Sequence, residues 1–433
     1  MKNLDLLLLS VFLLALTPIC RAQDKSPGEL KKIYENNNLS SAERLDAMEE
    51  AGYLYLNQNP DSAMYLGRAM MELAAKTRKS ALLYKAYFFM GNAYAQSYNL
   101  GRAIDFYKKA YDKAVEMKDE KKMASALQNH AISHQQSGNV PDALACFLKA
   151  FKLAEKAADK HQMATICSNI GLVYIVQEDY ARSLEYYSKA QVLANNINDN
   201  QLLANIYANL GSLYYKKQEY DKALSQLNKA FELKTGMNDK AGIANLHYEM
   251  AESYAGKADY AQAKKNAVKG IEICTEINYA SLLCRGNYLM CNILFMSGQY
   301  NEANQYGMKA LNCARDQSNI YQLRDTYKLL AEIASKTGKI KAELEYTKIY
   351  HRFNDSIVAE ENTRKKVQEQ LEYEYQKKAM ADSLQMVKMR KIREMELEKS
   401  ERSGNGKGMY TMLILLGATT LIVLALFLFM RKK

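Results

Sequence analysis

Proline occurs 4 times in the 433 residues and tryptophan not at all, so little in the chain breaks a helix. With helix-forming residues dominant, that scarcity excludes an all-β or α/β fold and leaves an all-α one. Two of the prolines, Pro60 and Pro141, stand where a helix begins, the place that tolerates a missing amide. The 20 glycines form no phosphate loop, no dinucleotide-binding fingerprint and no nucleophile elbow. Acidic residues fall on repetitive helical surface rather than in a paired catalytic arrangement, so the sequence supports no enzyme and implies no cofactor. Clustered basic charge is missing as well. The formal net charge is +11, yet acids and bases are interspersed and no long Lys/Arg run precedes the C-terminal end. The excess is solvated helix surface, and nucleic acid is not an expected partner.

What the chain does have is a repeat. From Leu210 to Ala230 a small residue at Gly211, then Tyr214, Tyr220, Ala223 and Ala230, mark two apolar stripes at helical spacing, separated by a polar turn at Gln218 and Glu219. The slot of Gly211 is filled at intervals of 40 residues by Ala51, Gly91, Ala131, Gly171, Ala251, Cys291 and Ala331. Twelve residues after each comes Ala63, Ala103, Ala143, Ser183, Ala223, Ala263, Ala303 and, as the one departure, Glu343. A fixed period of this kind predicts a solenoid, in which no hairpin buries its own apolar face and stacked copies share a continuous core. The small residues predict close helix crossings, with Tyr94, Tyr174, Tyr214 and Tyr254 filling the space beside them. Polar turns such as Lys118-Asp119-Glu120 and Asn198-Asp199-Asn200 set the period.

The succession Gly91, Tyr94, Ala103, Tyr107 and Ala110 resembles the tetratricopeptide repeat, in the longer 40-residue class. That resemblance covers residues 41–356 and implies a right-handed α-solenoid of about eight hairpins whose first helices line a groove for a peptide or protein ligand. Before it, residues 23–40 read as an entry helix and loop. Residues 1–22 read as a signal peptide: an apolar run from Leu6 to Leu16, then small residues at Cys20 and Ala22 before Gln23. A lipoprotein reading, with Cys20 as the modified residue, meets Ile19 where a small residue is wanted.

After the array, residues 357–402 form a charged segment in which Glu360 with Arg364, Glu361 with Lys365 and Glu374 with Lys378 stand at i, i+4. A loose apolar stripe through Val367, Leu371, Tyr375 and Leu384 makes a coiled-coil homodimer one reading and a single charged helix the other. Residues 403–408 are a Gly-rich hinge. Met409 to Met430 is a run of 22 residues without a charge, long enough to span a bilayer, and the basic tail 431–433 follows. Export signal and basic stop together predict a single-pass protein with its array outside the cytoplasm and its tail inside. That order resembles the periplasmic sensor half of bacterial tetratricopeptide signalling proteins, which implies an inner-membrane location and a signalling partner, no output domain following Lys433. A passive scaffold for envelope assembly, or a truncated relic of such a sensor, is the competing expectation.

Three sets of residues carry groups capable of chemistry. His130 and His134 stand at i, i+4, but Ala131 replaces the Glu of a His-Glu-x-x-His motif, and the pair occupies packing slots, so no metal is expected. Once a signal peptide with Cys20 is removed, six cysteines remain; most read as buried small hydrophobes, with a bridge between Cys274 and Cys284 across an inter-repeat turn as the one disulfide considered. The last set repeats. Asn129, Asn169 and Asn209 stand two before the small residue in successive repeats, with Asn205 and Asn245 one turn earlier. An amide offers the donor and acceptor that a peptide unit requires, so these five are the candidate peptide contacts. The alternative is that they stitch adjacent repeats by inter-helix hydrogen bonds.

Overall fold

The computed structural model describes residues 25–359 apart from 57–58, 98 and 318, together with isolated positions between 362 and 395. The chain divides into two compact units, Met1–Ile357 and Val358–Lys433, and the helices that follow lie in the first. The expected signal peptide (1–22), hinge (403–408), membrane span (409–430) and tail (431–433) lie outside the described residues, as does nearly all of the charged segment beyond 359. Among the described residues no helix is long and apolar enough to cross a membrane.

An entry helix, α1 (Pro27–Glu35), is followed by hairpins of α2 (Ser41–Tyr55) with α3 (Pro60–Thr77), α4 (Ser80–Gln96) with α5 (Leu100–Glu116), and α6 (Glu120–Gln136) with α7 (Val140–Lys156). Then come α8 (Lys160–Val176) with α9 (Tyr180–Asn195), α10 (Asn200–Lys216) with α11 (Tyr220–Gly236), and α12 (Lys240–Gly256) with α13 (Tyr260–Glu276). The last two pairs are α14 (Ala280–Met296) with α15 (Tyr300–Asp316), and α16 (Ile320–Lys336) with α17, which covers 340–357 within this unit. The entry helix α1 and the first hairpin helix α2 start at capping boxes, Ser26 with Glu29 and Ser40 with Glu43. No strand occurs among the described residues.

The connections explain the period. A residue with left-handed backbone recurs every 20 positions, as at Lys118, Gly138, Ala158 and Glu178. At Ala158 (φ 52°) its N–H donates to Glu155 O and the next N–H, of Asp159, donates to Ala154 O, both at 2.9 Å. These bonds satisfy carbonyls left open at the end of α7. Asp159 then serves the following helix, since its side chain accepts from Gln162 N–H at 3.0 Å. One residue ends a helix and its neighbour begins the next.

Small residues sit where the sequence requires them. A Cβ placed on Gly91 would lie 2.6 Å from the ring of Tyr107, one on Gly171 2.9 Å from Tyr187, and one on Gly211 2.6 Å from Leu227. Each clash is with the residue 16 positions later on the second helix, so the large side chain there dictates the absent one here. In the α12/α13 hairpin the sizes are exchanged: residue 267 is Ala, and the fully buried ring of Tyr248 fills the space left by Gly270 and Gly286. Ala63, Ala103, Ala143, Ser183, Ala223, Ala263 and Ala303 are all fully buried, and Glu343 is half-buried. Beside the crossings, Tyr94 stacks on Phe106 at 5.4 Å and Tyr174 on Tyr186 at 5.7 Å.

The cysteines depart from expectation. Cys284 is bonded to Cys313, not to Cys274, with Cα atoms 5.5 Å apart. Antiparallel packing sets the first turn of α14 beside the last turn of α15, which brings 284 and 313 together. Cys274 instead lies in the core, where its sulfur accepts from Tyr248 OH at 3.4 Å.

Left-handed backbone costs alanine more than glycine. Ala158→Gly and Ala258→Gly are each expected to stabilise the array by ~0.5–1 kcal/mol, and Gly138→Ala to destabilise it by a similar amount, read as shifts of the urea midpoint.

Candidate functional site

Successive first helices touch one another along most of the array, whereas successive second helices do not do so to a comparable extent. Elements that approach on one side and separate on the other place the first helices on the inner wall of a bending stack. On that wall three positions at i, i+4 and i+7 recur in each repeat. The first of them is polar throughout α6 to α16: Ser125, Thr165, Asn205, Asn245, Arg285 and Asp325, one every 40 residues. Asn205 is exposed and the others are half-buried.

The five predicted asparagines have different surroundings. Asn129 is buried, and its amide donates to Asn92 Oδ1 of the preceding repeat at 3.3 Å; the same oxygen accepts from Tyr107 OH at 2.7 Å. Asn209 is half-buried and donates to Ser168 Oγ, again in the preceding repeat, at 3.1 Å. Asn169 is buried, with Nδ2 lacking a hydrogen-bond partner. Asn205 faces solvent. Asn245 donates to Glu249 Oε1 at 2.7 Å and accepts from Arg285 at 2.5 Å. Three of the five amides therefore bridge repeats, Asn245 doing so within an ionic cluster.

That cluster was not legible as a site from composition, although its members continue the asparagine rows. Glu249 stands 40 residues after Asn209, and Arg285 stands 40 after Asn245. Arg285 also reaches Glu252 Oε1 at 3.2 Å. Beside it is a recess of about 10 Å³, room for a single water, bounded by Ser212, Tyr215, Glu249, Glu252 and Ser253. Glu249 Oε2 and Arg285 Nε are buried there without a hydrogen-bond partner. Burial pushes the Glu249 carboxyl up to about 7; Arg285 opposes the rise and the charge of Glu252 adds to it. A wider opening of about 250 Å³ lies between α11, α12 and α13, with Phe231, His247, Tyr254, Lys265 and Lys269 among its walls.

The histidine pair gains a third member. His130 Nδ1 lies 3.2 Å from Cys146 Sγ, the two imidazoles are 4.6 Å apart, and one ligand atom from each of the three residues lies within 4.8 Å of the others. Burial, and then the neighbouring His134, push His130 down to about 3. Cys146 comes from the facing helix α7, and sequence spacing alone gave no sign of it.

The Glu249 proton has a measurable consequence. Its carboxyl binds a proton more tightly in the folded chain than at the ordinary value of 4.5, so the stability it contributes is fully present below pH 4.5 and is lost as pH rises through about 7. Relative to Glu249→Gln, the unaltered chain should lose stability on the order of 3 kcal/mol between pH 4.5 and 8 in urea melts. Parallel pH curves for the two chains would contradict this assignment.

Residues 162–236, within α8 to α11, match the tetratricopeptide repeat family model. No curated protein matches the sequence. Among solved structures the chain is similar to the apo form of RapI, at 18% identity over 77% of this chain and 92% of that one, with a TM-score of 0.55. It is similar also to the apo form of the quorum sensor NprR from B. thuringiensis, at 16% identity over 76% and 91%, with a TM-score of 0.53. A signal-transduction ATPase with a tetratricopeptide repeat sensor, from Pyrococcus horikoshii, aligns at 14% identity over 78% of this chain and 55% of that one, with a TM-score of 0.51. At these identities the likeness is one of fold, and it agrees with the hairpin order, the 40-residue period and the close crossings: the described helical array is a solenoid similar in fold to tetratricopeptide repeat proteins, with the repeat itself matched over residues 162–236.

Proposed function

We propose that this protein is a membrane-anchored, extracytoplasmic solenoid that binds a peptide or protein partner along the wall formed by its first helices, as the sensor or adaptor of a signalling system. The row Ser125, Thr165, Asn205, Asn245, Arg285 and Asp325 carries the reading. Within it Ser125 accepts from Gln162 and Asn245 from Arg285, bonds that join successive repeats, whereas Asn205 presents an exposed amide at the same slot. Hydroxyl, amide and ionic groups at a regular repeat are suited to successive backbone units of one extended ligand. Asn205 offers an exposed amide, while Asn129, Asn209 and Asn245 hold the spacing of the helices that carry the row; Asn169, buried with its Nδ2 unpaired, is the other candidate contact in this reading.

The membrane part of the proposal rests on the apolar leader and on the uncharged run 409–430. The Cys284–Cys313 disulfide supports it, because such bonds persist in oxidising compartments. Sensing is preferred to passive scaffolding on two grounds: the wall is polar rather than broadly apolar, and the similar folds include a quorum sensor and a tetratricopeptide repeat sensor.

Two measurements test it. A photocrosslinking residue in place of Asn205 in the full chain in intact cells should yield partner adducts, and one in place of exposed Lys189 on α9 should not. Equal yields from both positions would remove the wall as the binding surface. For topology, a reporter active only in the cytoplasm should work when fused after Lys433 and be silent when fused after Gly338; the opposite pattern would end the extracytoplasmic reading.

A further inference from the structure

The repeat provides an internal reference for every side chain, and one constellation departs from it in three places at once. The positions of His130, His134 and Cys146 are held one repeat earlier by Met90, Tyr94 and Phe106, and one repeat later by Ile170, Tyr174 and Tyr186. In both neighbours the two aromatic rings stack between the helices of the hairpin, at 5.4 Å and 5.7 Å. The α6/α7 hairpin gives up that stack and an aliphatic contact together, and installs two imidazoles and a thiol. Each replacement alone would be a packing variant. Their coincidence at one contact, with every change toward a metal-ligating side chain, needs a further reason.

We propose that His130, His134 and Cys146 bind a borderline-soft divalent cation of the Zn²⁺ class, with the fourth coordination position left to water or to a side chain of a partner. Bond lengths of about 2.0 Å to nitrogen and 2.3 Å to sulfur set the ligand atoms of a tetrahedral site about 3.3–3.6 Å apart. The His130 Nδ1 to Cys146 Sγ distance is 3.2 Å, and all three ligand atoms fall within 4.8 Å of one another, so small rotamer adjustments close the site. The residues are half-buried, within reach of an ion from solvent and sheltered from competing water. Asp142, one turn before Cys146 on α7, brings negative charge near the imidazoles, while Lys108 and Lys149 act in the opposite sense. On binding, the thiol proton leaves to solvent and the sulfur becomes a thiolate ligand, with no change of oxidation state. Nitrogen and thiolate donors in a three-residue set favour zinc over calcium or magnesium, which take oxygen.

The test uses the full chain, stripped with a chelator and kept reduced, titrated with Co²⁺ and then Zn²⁺. One Co²⁺ per chain should produce a thiolate-to-cobalt charge-transfer band that Zn²⁺ abolishes. The triple variant His130→Met, His134→Tyr, Cys146→Phe rebuilds the contact of the preceding repeat; it should keep its helical circular dichroism and lose the band. Cys146→Ala alone should lower the affinity by more than about a hundredfold, beyond the cost of losing an outer-shell partner. Absence of a stoichiometric band in the unaltered chain, or its persistence in the triple variant through Cys167, Cys274 or Cys291, would overturn the proposal. Should the triple variant fail to fold, alkylation of Cys146 in the unaltered chain decides: Zn²⁺ should slow it, and an unchanged rate would overturn the site equally.

Discussion

The array depends on a turn with no spare residue. A left-handed residue closes one helix and the residue immediately after it, an Asp or Asn in most turns, begins the next, so helices of 17 residues alternate with turns of three from Glu120 to Lys156 and well beyond. Each residue of an α-helix advances the side-chain direction by about 100°. One inserted residue in such a turn would therefore swing the following helix away from the groove meant to receive it. Constant length is what allows residue 91 to mean the same thing as residue 171.

Once the slots are in register, packing acts on pairs of positions rather than on single ones. Glycine at 91, 171 and 211 goes with a large residue 16 later, and Ala251 goes with Ala267 and a tyrosine brought in from the same helix. Dense packing leaves few positions idle. A slot that is polar in six successive repeats, like that of Asn205, stands out against this background, and so does the contact of His130, His134 and Cys146, which differs from both neighbouring repeats at all three positions.

The helices, their order and their close crossings were legible in the sequence because each depends on local periodicity and on residue size, and 40-fold spacing makes both visible many times over. The asparagine rows were legible for the same reason. What the rows continue into was less so: Glu249 and Arg285 are ordinary helix-surface residues by composition, and only superposition on Asn209 and Asn245 marks them. The disulfide was not legible, because sequence proximity favours Cys274 with Cys284, whereas antiparallel helices bring Cys284 to Cys313 from 29 residues away. Cys146 escaped notice because a pair of histidines on one helix says nothing about which residue faces them from another.

The disulfide also breaks the symmetry of an otherwise even chain of hairpins. In a stack held by nearest-neighbour contacts, melting proceeds from whichever end is weaker. Closing a loop of this length removes about 3–4 kcal/mol of disorder from the unfolded chain in the entropic account. That constraint falls on α14 and α15, next to the last hairpin, and nothing comparable ties α2 to α3. The stack should accordingly unzip from its N-terminal hairpins, and a reducing environment would even out the two directions of fraying.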